Sequence, residues 1–543
     1  MKNNIVKLLL LSIIFFFSHK INAQNLNTSN LPIIVIETED EIPDEPKIEG
    51  TMGIIFNGEN QENNIDDAFN HYDGNIAIET RGNSTQGFEK KTYSLELRNA
   101  QNEDSPMSLL GMGEEEDWIL HAMVIDKTQL RIPMSFYLFQ KMGHYAANWR
   151  YVELIVNEEY QGLYILTEKI KRDDSRVDIA KMTTEDIAGD EVTGGYILRI
   201  DWLDEFEEGE SGFFSQYESQ AGDMPMIYQW YYPKAENMQP QQVDYIEEYM
   251  YQFESAVFAD DFHNASGTRY TDYININSFT DFLLINELSK NADGYKLSSY
   301  LHKDRDSNNG KLTAGPIWDF DQTYGVSLVC SCHEYTGWTY LQNQDGCEDL
   351  ESMPMWWQAM MSDEQFLNHL KCRWETLRAG VLHTDSMMTW IDTHRDLISE
   401  AKDRNFERWD YFIGEHIWIE PEPIPETYEE EIAVLKEWIE NRLEWIDENL
   451  GGNCADDVFS GIKNESLVAN SIEIVPNPTQ NSLKINTKTK MQAIIFNING
   501  QKIYESLAEK AVHQIDVSTW PKGIYFVSMK GNNLQQTQKI IVE

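Results

Sequence analysis

The feature of this sequence that most constrains its fold is the change in hydrophobic periodicity along the chain. Before about residue 240, short segments alternate between apolar and polar residues, as in KKTYSLELRN, where Tyr93, Leu95 and Leu97 share one face of a strand. From about Gln241 the period becomes helical, and the C-terminal part returns to short strands separated by turns. These changes predict an α+β domain with two lobes, followed by a small all-β sandwich.

Several segments have the pattern of a defined element. LPIIVIE and GGYILRID are predicted strands, and YVELIVNEEYQGLYILTEKI is a predicted hairpin that turns across Asn157–Gly162. TQLRIPMSFYLFQKMG is a predicted helix that Gly143 closes, with Pro133 marking either a kink or the helix start. Further helices are expected in QVDYIEEYMYQFESAVF, INSFTDFLLINELSK and EEEIAVLKEWIENRLEWIDENL. SSYLHKD and KLTAGPIWDFD are expected to pair as strands around an Asn-Asn-Gly turn.

The N-terminus has the pattern of a secretory signal. Lys2 and Lys7 precede the apolar run LLLLSIIFFF, and the small residue Ala23 offers a cleavage site before Gln24. We therefore predict a signal peptide over residues 1–23 and an exported mature protein without a transmembrane helix. The remaining limits predicted from sequence are a main domain over 31–450, a linker over 451–470 and a C-terminal domain over 471–543.

The charge balance limits the classes of partner that we expect for this protein. The chain has 43 Lys and Arg against 91 Asp and Glu, a formal net charge of −48. A nucleic-acid binder needs a basic surface, so we expect no nucleic-acid partner, whereas abundant carboxylates suit cation binding.

Five cysteines are too few for a disulfide framework. Export permits one or two bridges, and the expected partners lie in the stretch from Cys330 to Cys372. Cys330, Cys332 and His333 also form a short group of potential zinc ligands, but no second pair completes a zinc site, so a structural disulfide is favoured.

Two aspartates in GPIWDFDQTYG are candidate metal ligands. If this segment is extended, Asp319 and Asp321 point to the same side because side chains alternate along a strand. Two carboxylates with that spacing suit a hard cation such as Mg²⁺, although the pattern alone is weak.

A third aspartate lies in the loop of ELSKNADGYKLSSYLHKD. Asp293 follows the end of a predicted helix and precedes the strand that pairs towards Asp319. A loop carboxylate near a metal-binding pair is the layout of phosphoryl transfer, in which one aspartate orients the acceptor hydroxyl. The same Asn-Ala-Asp-Gly residues also fit an ordinary helix C-cap, and both readings stay open.

The strand-rich part contains several cations that could bind phosphates. Lys91 has the core-facing phase of its strand, where a lysine needs a partner, and Glu168 is the candidate partner. Lys90, Arg81 and Arg131 are further candidates, although each could instead form a surface ion pair. No G-x-G-x-x-G, P-loop, H-R-D, H-E-x-x-H or G-x-S-x-G motif occurs, which disfavours ordinary kinases, ATPases and lipase-like hydrolases.

Taken together, five segments in order resemble the spore-coat protein H (CotH) kinase family. They are RGNSTQGFEKKTYSLELRN, DWILHAMVIDKTQLR, YVELIVNEEYQGLYILTEKIKRDDSRVDI, GGYILRID and ELSKNADGYKLSSYLHKD with GKLTAGPIWDFDQTYG, and they span most of Leu31–Leu450. The resemblance implies an atypical protein kinase with a two-lobed, kinase-like fold, which transfers the γ-phosphoryl group of ATP to Ser or Thr with Mg²⁺ or Mn²⁺.

The resemblance also implies roles for individual residues. Asp293 matches the catalytic-base position and Asp319 the metal-binding position, while Asp321 matches a position that is Asp or Asn in relatives. Lys91 or Lys90 would contact phosphates, with Glu168 as the charge partner. Ser298 stands where an ordinary kinase has a metal-binding Asn, so a second metal ligand from that loop is not expected.

The C-terminal segments VPNPTQNSLKI, IIFNINGQKIYE, IDVSTWPKGIYFV and QKIIV are similar to the type A sorting domain of the Bacteroidota type IX secretion system. This similarity implies transport across the outer membrane by that machinery, followed by release or surface attachment. A non-catalytic surface adhesin or structural protein with the same fold is the main alternative function, favoured by the missing Gly-rich loop and by 15 Trp and 26 Tyr. A metal-dependent hydrolase or polysaccharide-associated protein is a third.

Overall fold

The computed structural model describes residues 26–82, 84–202, 211–219, 222–342, 347, 353–410, 412–459, 473–475, 479, 481–497, 502–506, 510–531 and 534–542. The expected signal peptide and most of the expected linker lie outside these residues. The chain divides into two compact units, Met1–Asp457 and Val458–Glu543. No helix among the described residues is both long and apolar enough to cross a membrane.

Seven strands of the first unit close into a barrel. In chain order they are β1 Ile33–Thr38, β2 Ile48–Ile55, β3 Tyr72–Arg81, β4 Thr92–Arg98, β5 Asp117–His121, β6 Trp149–Val156 and β7 Glu159–Glu168. Neighbours run antiparallel in the order β6-β7-β5-β4-β3-β2-β1, and β1 pairs in parallel with β6 to complete the ring. Closure removes the free edges that an open sheet would expose. The predicted hairpin is confirmed as β6 and β7, but its turn consists only of Asn157 and Glu158, both at positive φ, and is shorter than the predicted Asn157–Gly162 because β7 already begins at Glu159.

Five further strands form a second, antiparallel sheet. They are β8 Tyr196–Ile200, β9 Gly212–Ser219, β10 Gly222–Tyr232, β11 Ser299–Lys303 and β12 Thr313–Ala314, in the order β9-β10-β8-β11-β12. The expected strand pair is confirmed as β11 and β12, with Leu301 opposite Ala314. Its second strand ends at Ala314, however, so the WDFD segment is not part of the sheet. Two-residue strands at Thr28–Ser29, Asn63–Asn64, Met107–Ser108 and Glu114–Glu115 form two small separate pairs.

Eight α-helices in the described residues complete this unit. They are α1 Arg131–Met142, α2 Pro240–Val257, α3 Ile276–Ser289, α4 Trp356–Met361, α5 Glu364–Arg378, α6 Thr384–Leu397, α7 Ser399–Arg408 and α8 Tyr428–Asn449. Gly143 ends α1 at a φ of 102°, a conformation that glycine adopts without a Cβ penalty, as its sequence context predicted. α3 is buried along almost its whole length within the largest hydrophobic cluster.

The disulfide expectation needs a correction. Cys330 pairs with Cys347, inside the predicted stretch, whereas Cys372 pairs with Cys454, which was not among the expected partners. Cys332 remains a buried free thiol, so Cys330 and Cys332 do not act together as zinc ligands. The second bridge joins α5 to residues beyond α8, a proximity that only the helical packing creates.

The C-terminal unit is all-β, as predicted. Its strands are β13 Glu473–Val475, β14 Ser482–Asn497, β15 Lys502–Glu505, β16 Lys510–Asp516, β17 Gly523–Gly531 and β18 Leu534–Val542. The long strand β14 pairs with β13 and β16 along its first half and with β15 and β17 along its second. Leu483, Ile495, Ile515 and Val527 belong to one buried cluster, so both halves share a core.

A buried carboxyl group makes the stability of the first unit depend on pH. Glu254 on α2 accepts hydrogen bonds from the Tyr228 hydroxyl at 2.7 Å and the Ser215 hydroxyl at 2.8 Å, and burial raises its pKa to about 7. The folded state therefore holds a proton that the unfolded state releases near pH 4.5, so this contribution to the free energy of unfolding is lost as the pH rises from about 4.5 to 7.

We expect Glu254→Gln to stabilise the fold at pH 8 by about 2 kcal/mol relative to the wild type. The glutamine amide is neutral at every pH, whereas Glu254 at pH 8 must either bind a proton or remain buried as a charge. At pH 4.5 the two proteins should be nearly equal. Urea unfolding at both pH values measures the difference. A gain that is the same at both pH values would contradict this assignment.

Candidate functional site

The three predicted aspartates come from two loops that lie side by side. α3 ends at Ser289, and Lys290 adopts a left-handed conformation at a φ of 44°, which turns the chain into the loop that carries Asp293. The second loop follows β12 and carries Asp319 and Asp321. Backbone hydrogen bonds join the loops, from the Tyr324 N–H to the Ser289 carbonyl at 2.7 Å and from the Ala292 N–H to the Gln322 carbonyl at 3.4 Å.

All three aspartates line one cavity of about 810 Å³. Residues of the barrel, of the five-stranded sheet and of both loops form its walls. The extended conformation expected for Asp319 and Asp321 is wrong, since Asp319 has a left-handed φ of 54°. Both carboxylates nevertheless line the same cavity, in a loop that is hydrogen-bonded to the end of α3 through Tyr324 and Ser289.

The electrostatics of the aspartates indicate a site that favours a bound cation. Burial raises the pKa of Asp293 to about 7; the nearby buried Lys296 ammonium group opposes this shift, and the Asp319 and Asp201 carboxylates add to it. Burial and the adjacent Asp319 and Asp293 carboxylates raise the pKa of Asp321 well above its ordinary value. Burial also raises the pKa of Asp319, against the effect of a hydrogen bond from Ser298. A divalent cation would relieve this repulsion, and a set of carboxylate oxygens suits Mg²⁺ or Mn²⁺.

A separate group of carboxylates is not a comparable site. Within the part of the chain that the structure describes, the one group of three metal-ligand side chains whose ligand atoms lie within 4.8 Å of one another is Glu115, Glu116 and Asp117. The Lys171 ammonium group lies 2.6, 2.5 and 2.9 Å from these carboxylates, so it occupies the position between them and offsets part of their negative charge. The three cavity aspartates are more widely spaced than this group, which fits a division of roles between Asp293 and the other two.

The predicted pairing of Lys91 with Glu168 is wrong. The Lys91 ammonium group donates to the Gln86 carbonyl at 2.6 Å, because Lys91 precedes β4 and its side chain turns towards the loop before it. Glu168 is buried and accepts hydrogen bonds from the Tyr145 hydroxyl at 3.0 Å and the Asn148 backbone at 2.9 Å. Neither residue lines the cavity.

Lys90 also lies away from the cavity. It is only 1% exposed, and it donates to the Ala122 and Leu163 carbonyls at 2.8 and 2.7 Å while its ammonium group lies 4.6 Å from the centre of the Tyr164 ring. Burial lowers its pKa well below the ordinary value. These contacts hold barrel strands together, which makes Lys90 a structural residue.

Arg131 stabilises the loop of Asp319 and Asp321 through a contact outside the cavity. At the start of α1 it pairs with Asp126 at 2.5 Å, and its Nε donates to the Thr323 carbonyl at 2.9 Å. It does not line the cavity either, so it stabilises the segment after Asp321 without facing the site.

Of the predicted cations, Arg81 does line the cavity, together with three that sequence reasoning missed: Lys169, Arg199 and Lys234. The Arg199 guanidinium donates to the Gln229 side-chain oxygen at 2.7 and 2.9 Å and lies 3.3 Å from an Asp201 oxygen. A usable signal was present in GGYILRID, where Arg199 lies within an apolar strand and Asp201 directly follows it, with the same spacing as the two aspartates of WDFD. Only the fold, however, shows that they face this cavity.

Comparison with protein families accounts for most of the chain. Residues 78–446 match the family model described as CotH kinase protein, and residues 473–543 match the model described as secretion system C-terminal sorting domain. The first match includes Arg81, Arg199 and all three aspartates of the cavity. Both resemblances seen in the sequence are thereby confirmed. No curated protein matches the chain.

Proposed function

Because the chain belongs to the CotH kinase protein family and carries a secretion sorting domain, it is a secreted or cell-surface protein of that family, and we propose that it is an active protein kinase. It would transfer the γ-phosphoryl group of ATP to a serine or threonine of a protein, with Mg²⁺ or Mn²⁺. One observation carries the proposal: aspartates from two separate loops meet in a large cavity whose walls also carry four cations.

The chain's own residues supply most of the parts that phosphoryl transfer needs. Asp319 and Asp321 would hold the divalent ion, which neutralises charge on the phosphates when bound. Asp293, from the other loop, would accept the proton of the acceptor hydroxyl. Its pKa of about 7 is suited to a general base at neutral pH.

We assign the phosphate-binding role to residues of the cavity and not to Lys90 or Lys91. Arg81, on β3, and Arg199, on β8, both lie close enough to Asp319 to lower its pKa. Lys169 and Lys234 lie on the same walls. Cations from the barrel and from the second sheet would thus hold a polyphosphate on opposite sides.

We expect Arg81→Ala to weaken binding of an ATP analogue by about 10-fold, because a hydrogen bond to a charged group contributes about 1.5 kcal/mol or more. Lys91→Ala is the matched control, since Lys91 does not line the cavity and its ammonium group donates to the Gln86 backbone carbonyl, and it should change affinity less than about 2-fold. Isothermal titration calorimetry with Mg²⁺ present measures both. If Lys91→Ala weakened binding more than Arg81→Ala, Lys91 and not Arg81 would be the phosphate-binding residue.

A non-catalytic surface protein with the same fold is the second candidate. Lys91 and Glu168 have other partners and do not form an ion pair, which favours the non-catalytic protein. In kinases a lysine–glutamate ion pair holds the phosphate-binding lysine, and Lys91 with Glu168 was the expected equivalent. Nucleotide binding distinguishes the two candidates. The purified chain should incorporate labelled γ-phosphate with Mg²⁺ or Mn²⁺ and lose this activity in EDTA, whereas no nucleotide binding with either metal would favour the non-catalytic protein.

The sorting domain indicates how the protein reaches its place of action. It implies recognition by the type IX secretion machinery. We propose that the N-terminal signal peptide directs the first export step, and that the sorting domain is an address without a part in catalysis. Removing residues 471–543 should retain the protein inside the cell envelope, which fractionation would show.

A further inference from the structure

Two polar side chains cross between the aspartate loops in opposite directions. Ser298 belongs to the loop of Asp293, yet its hydroxyl donates to Asp319 Oδ2 at 2.7 Å. Gln322 belongs to the loop of Asp319, yet its side-chain Nε2 donates to Asp293 Oδ2 at 3.3 Å. Each loop therefore supplies a hydrogen bond to the aspartate of the other, and both donors line the cavity.

We propose that Ser298 and Gln322 are reciprocal positioning residues, with Ser298 orienting the metal-binding carboxylate of Asp319 and Gln322 orienting the catalytic carboxylate of Asp293. This inference rests on the proposed kinase function and assigns roles that neither the family match nor the sequence motifs provide. Neither residue is taken to contact substrate or metal.

The backbone around Ser298 supports a role beyond local structure. Ser298 has a φ of 45° and its partner Asp319 a φ of 54°, both in the left-handed region that non-glycine residues rarely adopt. Such conformations cost about 1 kcal/mol or more each and persist where the surroundings enforce them, often at functional sites. Here they bring a serine hydroxyl to a carboxylate that Arg81 and Arg199 also influence. Partners of this kind fix the direction of a metal ligand.

Gln322 is itself held on both sides. Its backbone carbonyl accepts from the Ala292 N–H at 3.4 Å, and its side-chain oxygen accepts from the Ser327 hydroxyl at 3.3 Å. Because the oxygen of the amide is engaged by a hydroxyl, the NH₂ group is left to face Asp293. The amide can therefore hold the Asp293 carboxylate in one orientation for an incoming hydroxyl.

The reciprocal arrangement predicts that each substitution impairs the function of the opposite loop. Ser298→Ala should weaken Mn²⁺-dependent binding of a non-hydrolysable ATP analogue by about 10-fold or more, while kcat at saturating metal stays near the wild-type value. Gln322→Met should lower kcat by about 10-fold and leave metal and nucleotide affinity within about 2-fold. Calorimetry and electron paramagnetic resonance of free Mn²⁺ read binding without turnover, and steady-state kinetics reads kcat.

Neighbouring substitutions provide the controls. Ser299→Ala removes a hydroxyl that bonds to the Leu297 carbonyl at 3.1 Å, so it should not alter metal affinity. Ser298→Thr keeps the hydroxyl, and although a β-branched residue is strained at a φ of 45°, it should bind metal more tightly than Ser298→Ala. Ser298→Gly relieves the positive φ but lacks the hydroxyl, so it should bind metal as weakly as Ser298→Ala even if the fold becomes more stable.

A double-mutant cycle separates positioning from general destabilisation. Ser298→Ala should cause no further loss of metal affinity when Asp319 is already Asn, but should keep its full effect when Asp293 is Asn. An equal effect in both backgrounds, or unchanged affinity in Ser298→Ala while the wild type binds Mn²⁺ and nucleotide, would overturn this inference and leave the proposed function intact. Failure of the wild type to bind Mn²⁺ and nucleotide would overturn both.

Discussion

Asp319→Asn is expected to weaken metal-dependent nucleotide binding by about 100-fold or more and to remove phosphoryl transfer with it, since the site would lose a carboxylate that we propose as a ligand of the divalent ion. Asparagine has nearly the same shape but no charge, so packing around the loop is preserved. Calorimetric titration of an ATP analogue with Mn²⁺, repeated in EDTA, measures the metal-dependent part of the affinity.

The control for this substitution lies in the same cavity. Asp201 also faces it and pairs with Arg199 at 3.3 Å, but it is not a proposed metal ligand. Asp201→Asn should change the metal-dependent affinity by less than about 3-fold, within the range of a partly exposed ion pair. Asp321→Asn should fall between the two. Equal losses at Asp201 and Asp319 would mean that the cavity responds to total charge and not to a particular ligand.

Asp293→Asn is expected to lower the rate of transfer by about 10²- to 10⁴-fold, the range typical of a general base, while nucleotide affinity stays within about 3-fold. The reason is that Asp293 belongs to the other loop and, in the proposed role, would act on the acceptor hydroxyl, which is not needed for nucleotide binding. Single-turnover transfer to a Ser/Thr substrate and parallel calorimetry measure the two quantities.

Thermal unfolding tests whether Asp293→Asn loses transfer activity only because the fold is destabilised. Asp293 is a buried carboxyl whose pKa is raised to about 7, so asparagine removes the cost of burying its charge at pH 8. The variant should therefore unfold at the same or a higher temperature than the wild type. A lower unfolding temperature together with lost nucleotide binding would show that Asp293 supports the fold and would argue against its catalytic role.

Much of the fold could be read from the sequence because its elements are locally encoded. The β6–β7 hairpin shows its apolar strands and its turn at Asn157 in consecutive residues, and α1 shows its end at Gly143. Closure of the barrel could not be read in this way. It depends on β1 pairing in parallel with β6, whose residues lie more than a hundred positions away.

Some residues of the candidate site could likewise be recognised from the sequence, and others could not. Asp293, Asp319 and Asp321 were recognisable because each stands in a short motif whose neighbours limit its setting. The cations were not, since Lys91 and Glu168 gain or lose a partner according to how a strand begins and which way its side chains turn. Arg199 joins the site only because β8 lies beside β11 in the second sheet.

The sequence alone therefore determined the class of the fold, the family, the sorting domain and the three carboxylates, because periodicity and short motifs express these within a few residues of one another. The tertiary structure decided which cations face those carboxylates, which lysine is buried in the barrel, and that Ser298 and Gln322 reach across to the opposite loop. These outcomes depend on contacts between distant segments, and the direction of a side chain in such a contact is set by packing and not by its neighbours in the chain.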